Sequence, residues 1–347
     1  MPTNETEILR NLGPEIIPMP IDVARPFWSV MIPTYNSRPD LLEQALRSVL
    51  DQDPGPDRMQ IALVDDASTE EGAERVAARL APGRVEFHRQ PRNVGLTANW
   101  NTCVAMARGH WVHLFHQDDL VRPGFYDRLG RAARERPDAG AAFCRHAFLE
   151  GDGRCRSVMA EERSDAGILE GWLARISQHQ LIQCPSIVVR RAAYERLGGF
   201  RTDLCYALDW EMWVRIAAHY PVWYEPETLA CFRSHEGSET ARLRRLGATI
   251  PDIRRAIQVV RRYIPAGLRG SVGRELLAHF RWAEMAEALR LLDDGAFQAA
   301  QARVREACRN DPSLRFSRIL WGYRKRALKK RLSGFLHAVA GGNRREL

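Results

Sequence analysis

Between residues 28 and 114 short apolar runs alternate with single amphipathic helices, and this alternation restricts the fold more than any other feature of the chain. Residues 28–32 (Trp-Ser-Val-Met-Ile), 61–64 (Ile-Ala-Leu-Val), 85–88 and 111–115 read as strands. Leu42, Ala45, Leu46, Val49 and Leu50 fall at helical spacing after the first strand. Ala73, Val76, Ala77 and Leu80 do so after the second, and Leu96, Trp100, Cys103, Val104 and Ala107 after the third. Ser37 and Asp40 have capping-box spacing at the first helix, and Gly109 is expected to close the third. Strands joined by single helices must run parallel, with helices covering both faces of the sheet.

Beyond Tyr126 the pattern loosens. Residues 141–144, 186–189 and 222–224 read as strands and 210–219 as a helix. After Leu243 no strand signal survives. Residues 276–292 and 296–308 read as two helices joined at Asp293-Asp294-Gly295, a helical appendage too short to be a repeat array. The expected division is an N-terminal arm (1–25), an α/β domain (26–243, with halves 26–126 and 127–243) and a helical C-terminal region (244–347). The 347 residues, 45% hydrophobic and 27% charged, suffice for such a core. No apolar run reaches the roughly 18 residues of a bilayer span. The first 20 residues lack a basic-then-apolar leader pattern, and the seven cysteines are dispersed without a C-x-x-C pair. A reduced, cytoplasmic setting is therefore expected.

The chemistry gathers at strand ends. Pro33-Thr34-Tyr35-Asn36, Asp65-Asp66 and Asp118-Asp119 each follow an apolar run. In a parallel sheet these ends open on one edge, where ligands bind. No G-x-G-x-x-G follows the first strand and no Walker A loop exists, so a dinucleotide or P-loop fold is disfavoured. A phosphate held without a Gly-rich loop needs a divalent cation, and paired carboxylates at Asp118-Asp119 suit one.

These blocks carry a family resemblance. Residues 29–36 (Ser-Val-Met-Ile-Pro-Thr-Tyr-Asn), 64–69 (Val-Asp-Asp-Ala-Ser-Thr), 93–96 (Asn-Val-Gly-Leu), 117–119 (Gln-Asp-Asp), 197–200 with 209–213, and 232–238 together resemble the family 2 glycosyltransferases of GT-A fold, over about residues 28–240. The resemblance implies a mostly parallel Rossmann-like sheet and transfer of a sugar from a nucleotide sugar, with a UDP- or dTDP-sugar favoured. It implies that Pro33, Thr34 and Tyr35 line the nucleotide pocket. Asp66 would accept from a pyrimidine imide N–H, with Asn93 near the base or ribose. Asp118 would lie by the ribose. Asp119 would bind Mn²⁺ or Mg²⁺, and His235 would complete metal or diphosphate binding. His116 stands where the family usually has the leading acid of its D-x-D element, and Leu208 where it has the Glu of a Glu-Asp pair. Asp209 matches the base of that pair. An acceptor hydroxyl must lose its proton as it attacks the anomeric carbon, and a carboxylate within reach can take it. Direct displacement inverts the anomeric configuration.

Plainer readings compete at several positions. Asp65 suits a strand-end turn. Glu211 is either a secondary acid near the acceptor or a first-turn residue favoured by the helix dipole. Trp100, Trp210, Trp213 and Trp223 read as core, though Trp210 beside Asp209 could flank the acceptor. His113 and His116 are expected on one strand face, with His116 nearer the chemistry, and His179 and His219 as structural. Residues 315–339 form a basic stripe with aromatics, either a peripheral membrane contact at the inner membrane face or a helix packed on the body. A surface contact would suit a glycan acceptor linked to lipid. No nucleic-acid module accompanies the +8 formal charge. Two rivals remain: a non-catalytic glycosyltransferase-like binding subunit, and a sugar nucleotidyltransferase, which would need a Gly-rich basic loop after the first strand.

Overall fold

A computed structural model describes residues 13–330, except 21, 71, 311, 317 and 319. Ten strands form one mixed sheet in the order β3-β2-β1-β4-β9-β6-β10-β5, with β7 and β8 pairing β6 and β10 from the side. The N-terminal half is β1 (Trp28–Thr34), β2 (Met59–Asp65), β3 (Glu86–Arg89) and β4 (Trp111–Leu114), each parallel to its neighbour. Thr34 pairs with Asp65, and Met31 with Leu114, so the strand ends fall side by side on one edge.

Side chains of β1 alternate between two cores, as a strand's period of two requires. Val30 and Ile32 join Leu42, Leu46 and Val49 of α1 (Pro39–Leu50), together with α2 (Gly72–Leu80). Met31 joins Trp100, Cys103 and Val104 of α3 (Leu96–Met106) on the other face. Each fully buried aliphatic side chain contributes roughly 1.5–3 kcal/mol to this two-sided burial.

Local signals were read correctly in kind and wrongly in detail at two helix ends. No capping box forms at α1: Arg38 is the N-cap residue, Pro39 occupies the first turn, and Asp40 pairs with Arg38 at 2.6 Å instead. Pro39 removes a donor that would otherwise need a cap. Gly109 is not a left-handed helix terminator. A Cβ there would lie 2.5 Å from the Trp28 carbonyl carbon and 2.6 Å from the Ser29 nitrogen. Its role is close backbone approach, and its N–H donates to Ser29 Oγ at 2.7 Å.

The second half follows β5 (Leu120–Val121) and α4 (Phe125–Glu135). It is built on two long parallel strands, β6 (Ala141–Glu150) and β10 (Val222–Ser234). The sequence shows only their first four and three residues as apolar. Pro226 and its flanking glutamates interrupt β10 where its register against β6 shifts, and this masks the strand's continuation. Between these two come β7 (Cys155–Val158), β8 (Gly167–Ile168), α5 (Trp172–Ile176), β9 (Ile187–Arg190), α6 (Arg191–Leu197) and α7 (Leu208–His219). β9 runs antiparallel to β4 and to β6, so the central sheet is mostly rather than wholly parallel, as expected.

The described part of the N-terminal arm is fastened to the body. Ile16 is buried in the core, Pro14 accepts from Gly199 N–H at 2.7 Å, and Arg191 donates to Ile17 O at 3.2 Å. From Glu239 onward the elements among the described residues are all helical, including α8 (Glu239–Arg245), α9 (Thr249–Tyr263), α10 (Arg274–Asp293) and α11 (Phe297–Asn310). Ile250, Ile253, Ile257 and Val260 of α9, and Leu276 and Phe280 of α10, share the main core. The far half of α10 forms a separate cluster with α11, Leu314, Leu320 and Tyr323. Of the apolar stripe of the basic tail, Leu320 and Tyr323 are buried in that cluster, and Arg326 and Lys330 pair with Asp293 at 2.7 and 3.0 Å. Residues 331–339 of that tail lie outside the described residues. Among the described residues no helix is long and apolar enough to cross a membrane.

Candidate active site

The loops after β1 and β2 are tied together where they leave the sheet. Asn36 and Ala67 adopt positive φ, +43° and +54°. Such strain in non-glycine residues persists only where surroundings enforce it. Here Asn36 N–H donates to Ser68 Oγ at 2.8 Å, and Thr69 N–H donates to Asn36 Oδ1 at 2.9 Å. Asp65 serves that turn: it accepts from Thr34 Oγ1, Ser68 Oγ and Ser68 N–H at 3.1, 2.5 and 2.9 Å. The turn reading of Asp65 therefore describes its contacts.

Asp66 accepts from the backbone N–H groups of Val94 and Gly95 at 2.7 and 2.9 Å. Asn93 donates its side-chain amide to Asp66 O at 3.2 Å. Asp66 thus shapes the loop before α3 while lining a cavity of about 530 Å³. Pro33, Thr34, Tyr35, Asn93, Asp118 and His235 line the same cavity, so the residues assigned to the nucleotide come together there. Gln117 fixes one rim, its Oε1 accepting from Tyr35 N–H at 3.1 Å.

β5 holds the acidic pair in place by pairing Leu120 with Cys231 of β10. Arg233, buried at the end of β10, donates its backbone N–H to Asp119 Oδ1 at 2.8 Å and its Nε–H to Asp118 O at 2.9 Å. His235 Nε2 lies 2.7 Å from Asp118 Oδ2, so it faces Asp118. The cluster whose ligand atoms lie within 4.8 Å of one another is His116, Asp118 and Asp119. Burial raises the Asp119 carboxyl to about 6, against the pull of His116. His113 and His116 do not share an environment, because the strand ends at Leu114. His113 is buried, 3.1 Å from both the Tyr126 hydroxyl and Pro185 O, and burial pushes its pKa down to about 3. His116 sits beside Trp100, ring centroids 5.0 Å apart.

Asp209 lies in the first turn of α7 and lines both the 530 Å³ cavity and a second one of about 460 Å³. Its Oδ1 accepts from Trp210 N–H at 2.6 Å and its Oδ2 from Gln180 Nε2 at 2.8 Å. Burial raises this carboxyl to about 6, against the Trp210 N–H and the charge of His116. The second cavity is walled by Phe148, Arg156, Phe232, Arg244, Glu275 and His279, so the helical region closes one side of it. His179 and Trp210 also line it, the Trp210 Nε1 donating to Ile176 O at 2.8 Å.

Glu211 is not in either cavity. It is fully buried and paired with fully buried Arg215 at 2.5 Å, and Tyr263 donates its hydroxyl to Glu211 Oε1 at 3.1 Å. A carboxylate so engaged is unavailable to an acceptor, and its role is to satisfy α7 against α9. Leu208, at the position where an acid is usual in the family, is buried in the apolar core. Gln180 and Arg233 are the site residues that sequence reasoning missed. Gln180 sits in a loop without pattern, whereas Arg233 lay inside a matching block and gave a signal that went unused.

The glycosyl transferase family 2 model matches residues 29–198. The chain is 36% identical over 112 residues to the succinoglycan biosynthesis protein ExoO of Rhizobium meliloti, covering 32% of this chain and 30% of that one. S. aureus TarS 1-349, solved in complex with UDP, superposes with a TM-score of 0.58 at 16% identity, over 87% of this chain and 88% of that one. The mannosyltransferase PcManGT from Pyrobaculum calidifontis, solved with GDP-Man and Mn²⁺, superposes at 0.55 and 19% identity, over 94% and 92%. The sheet order, the strand-end site and these matches agree: residues 29–198 form a glycosyl transferase family 2 domain, and the chain has the GT-A fold.

Proposed function

We propose that the protein is an inverting transferase that moves a sugar from a pyrimidine nucleoside-diphosphate donor to a hydroxyl of a glycan acceptor. The observation that carries this reading is the place of Asp209, on the shared wall of two cavities. One cavity holds the residues assigned to the nucleotide, and the other is lined by Phe148, Phe232 and polar side chains suited to a sugar. A base at that junction can take the acceptor's proton as the hydroxyl attacks from the side opposite the diphosphate, which inverts the anomeric centre. The Gln180 amide and the Trp210 N–H fix both oxygens of Asp209, so its orientation is set before the acceptor arrives.

Asp66 supports a uracil- or thymine-type base, because each of its oxygens accepts one backbone N–H and keeps a lone pair for an imide donor. TarS binding UDP supports the same choice, while the GDP-Man complex of PcManGT shows that the fold takes purines too. The likeness to a succinoglycan biosynthesis protein supports a polysaccharide product. Lipid linkage of the acceptor, and contact with the inner face of a membrane, rest on the outer side of residues 320–330. There Trp321 and Leu328 stand exposed among Arg324, Lys325 and Lys329. Seven free cysteines support a reducing compartment.

A divalent cation fits the donor site. His116 Nε2 and Asp119 Oδ2 are buried without hydrogen-bond partners, beside Asp118. Asp118 and Asp119 would hold the ion, and when bound it would neutralise charge on the departing diphosphate. His235, facing Asp118, would orient that carboxylate.

The pH profile tests the base. Because Asp209 titrates near 6, it is ionised at neutral pH and protonated in acid. Protonation removes the base, so kcat under donor saturation is expected to fall below about pH 6, losing about tenfold per unit further down. A rate flat from pH 7 to pH 5 contradicts the assignment.

A further inference from the structure

We propose that His116 is itself a metal ligand, and that it makes this site select a first-row transition ion, Mn²⁺ or Co²⁺, over Mg²⁺. The inference rests on reading residues 116–119 as the donor's metal site and adds a ligand and a selectivity to it. Neither follows from the carboxylates alone.

Three observations carry it. His116, Asp118 and Asp119 present ligand atoms within 4.8 Å of one another, a spacing that one ion can bridge. Within that cluster the orphaned atoms are Asp119 Oδ2 and His116 Nε2. Asp119 is only 1% exposed, so its free oxygen cannot turn to solvent for a partner. A buried polar atom left without a partner in a native fold calls for an explanation, and a bound cation is one. Neighbouring groups hold one oxygen of each carboxylate and one face of the imidazole. Arg233 N–H occupies Asp119 Oδ1, His235 faces Asp118 Oδ2, and Trp100 packs beside the imidazole. His116 turns Nδ1 toward the orphaned Asp119 Oδ2, the two atoms 3.5 Å apart, so Nδ1 is the nitrogen that an ion beside Asp119 would take.

The selectivity follows from ligand type. Mg²⁺ demands near-ideal octahedral oxygen coordination and gives up its water reluctantly. A neutral imidazole offers it neither charge nor oxygen. Transition ions accept imidazole nitrogen readily, with affinity rising from Mn²⁺ to Co²⁺. The Cys184 thiol faces His116 and makes that side of the site softer still. Replacing the leading acid of the element by histidine thus removes one negative charge and adds a nitrogen donor. That trade costs Mg²⁺ more than it costs Mn²⁺.

The test uses the full chain and metal ions alone. Calorimetric titration of the wild type is expected to give an affinity for Mn²⁺ at least about tenfold above that for Mg²⁺. Electron spin-echo modulation of the Mn²⁺-loaded protein is expected to show coupling to an imidazole ¹⁴N. His116→Asp should abolish that coupling and bring the Mg²⁺ affinity to within about threefold of Mn²⁺. His116→Gln gives the same loss of coupling should the aspartate variant fail to fold. His235→Gln should retain it, which separates the two histidines. Equal affinities in the wild type, or bound Mn²⁺ without ¹⁴N coupling, overturn the proposal. So does a wild type that binds neither ion. In those cases nucleotide binding measured without metal still reports on the glycosyltransferase reading, which fails only if no nucleotide binds under any condition.

Discussion

Asp209→Asn is expected to lower the rate of sugar transfer by about 10²–10⁴-fold while changing nucleotide affinity by less than about twofold. The amide keeps the size of the carboxylate and can keep the hydrogen bond from the Trp210 N–H. It cannot take a proton. The nucleotide residues Pro33, Thr34, Tyr35 and Asp66 lie on other elements and are untouched, so the donor should still bind. Assaying nucleoside-diphosphate release with saturating donor and acceptor, alongside a binding titration, separates the two effects. Normal turnover by the variant rejects Asp209 as the base. Loss of both binding and turnover would mean that Asp209 holds the donor rather than the acceptor's proton.

Two residues further along, a second carboxylate should behave in the opposite way. Glu211→Ala is expected to destabilise the fold by about 3–5 kcal/mol, because it leaves Arg215 charged and buried without its partner. Arg215 would retain only the carbonyls of Leu197 and Gly199, at 2.9 and 3.1 Å. Neutral acceptors do not offset the desolvation of a guanidinium. Tyr263 would lose its side-chain acceptor as well. Denaturant unfolding measures the change, and a loss below about 1 kcal/mol would show that water or a rearranged side chain compensates the arginine. The contrast between Asp209 and Glu211 follows from helix geometry. Two residues apart within one turn of α7, the two carboxylates point to opposite sides of the helix, one to the cavities and the other against α9.

The sequence carries the parallel half of the sheet clearly because its inner strands β1, β2 and β4 are largely apolar runs, which burial on both faces requires. The second half is harder to read. β10 changes from apolar to polar at Pro226 and resumes alternation past a register shift, so ten of its residues escape a periodicity search. β5 is two residues long and carries no periodicity at all. The site follows the same division. Strand-end residues were legible because topology brings parallel strand ends to one edge. Gln180 was not, because its partner Asp209 is distant in sequence and only the fold joins them. His116 was legible as a departure from the family pattern, but its orphaned ring nitrogen and its proximity to Asp119 exist only in three dimensions. The second cavity was illegible for a related reason: Arg156, Arg244 and His279 reach it from three separate elements with no shared motif.

The measurement that bears most directly on donor binding is the thermal stability of the intact chain against a panel of nucleoside diphosphates, with and without Mn²⁺. A ligand bound only by the native state stabilises it by mass action, by about 2.7 kcal/mol at a hundred times its dissociation constant. The account predicts that a uridine or thymidine diphosphate gives the largest upward shift, that Mn²⁺ increases it, and that Asp119→Asn removes the metal-dependent part. A chain indifferent to every nucleotide in the panel, with and without metal, would contradict it.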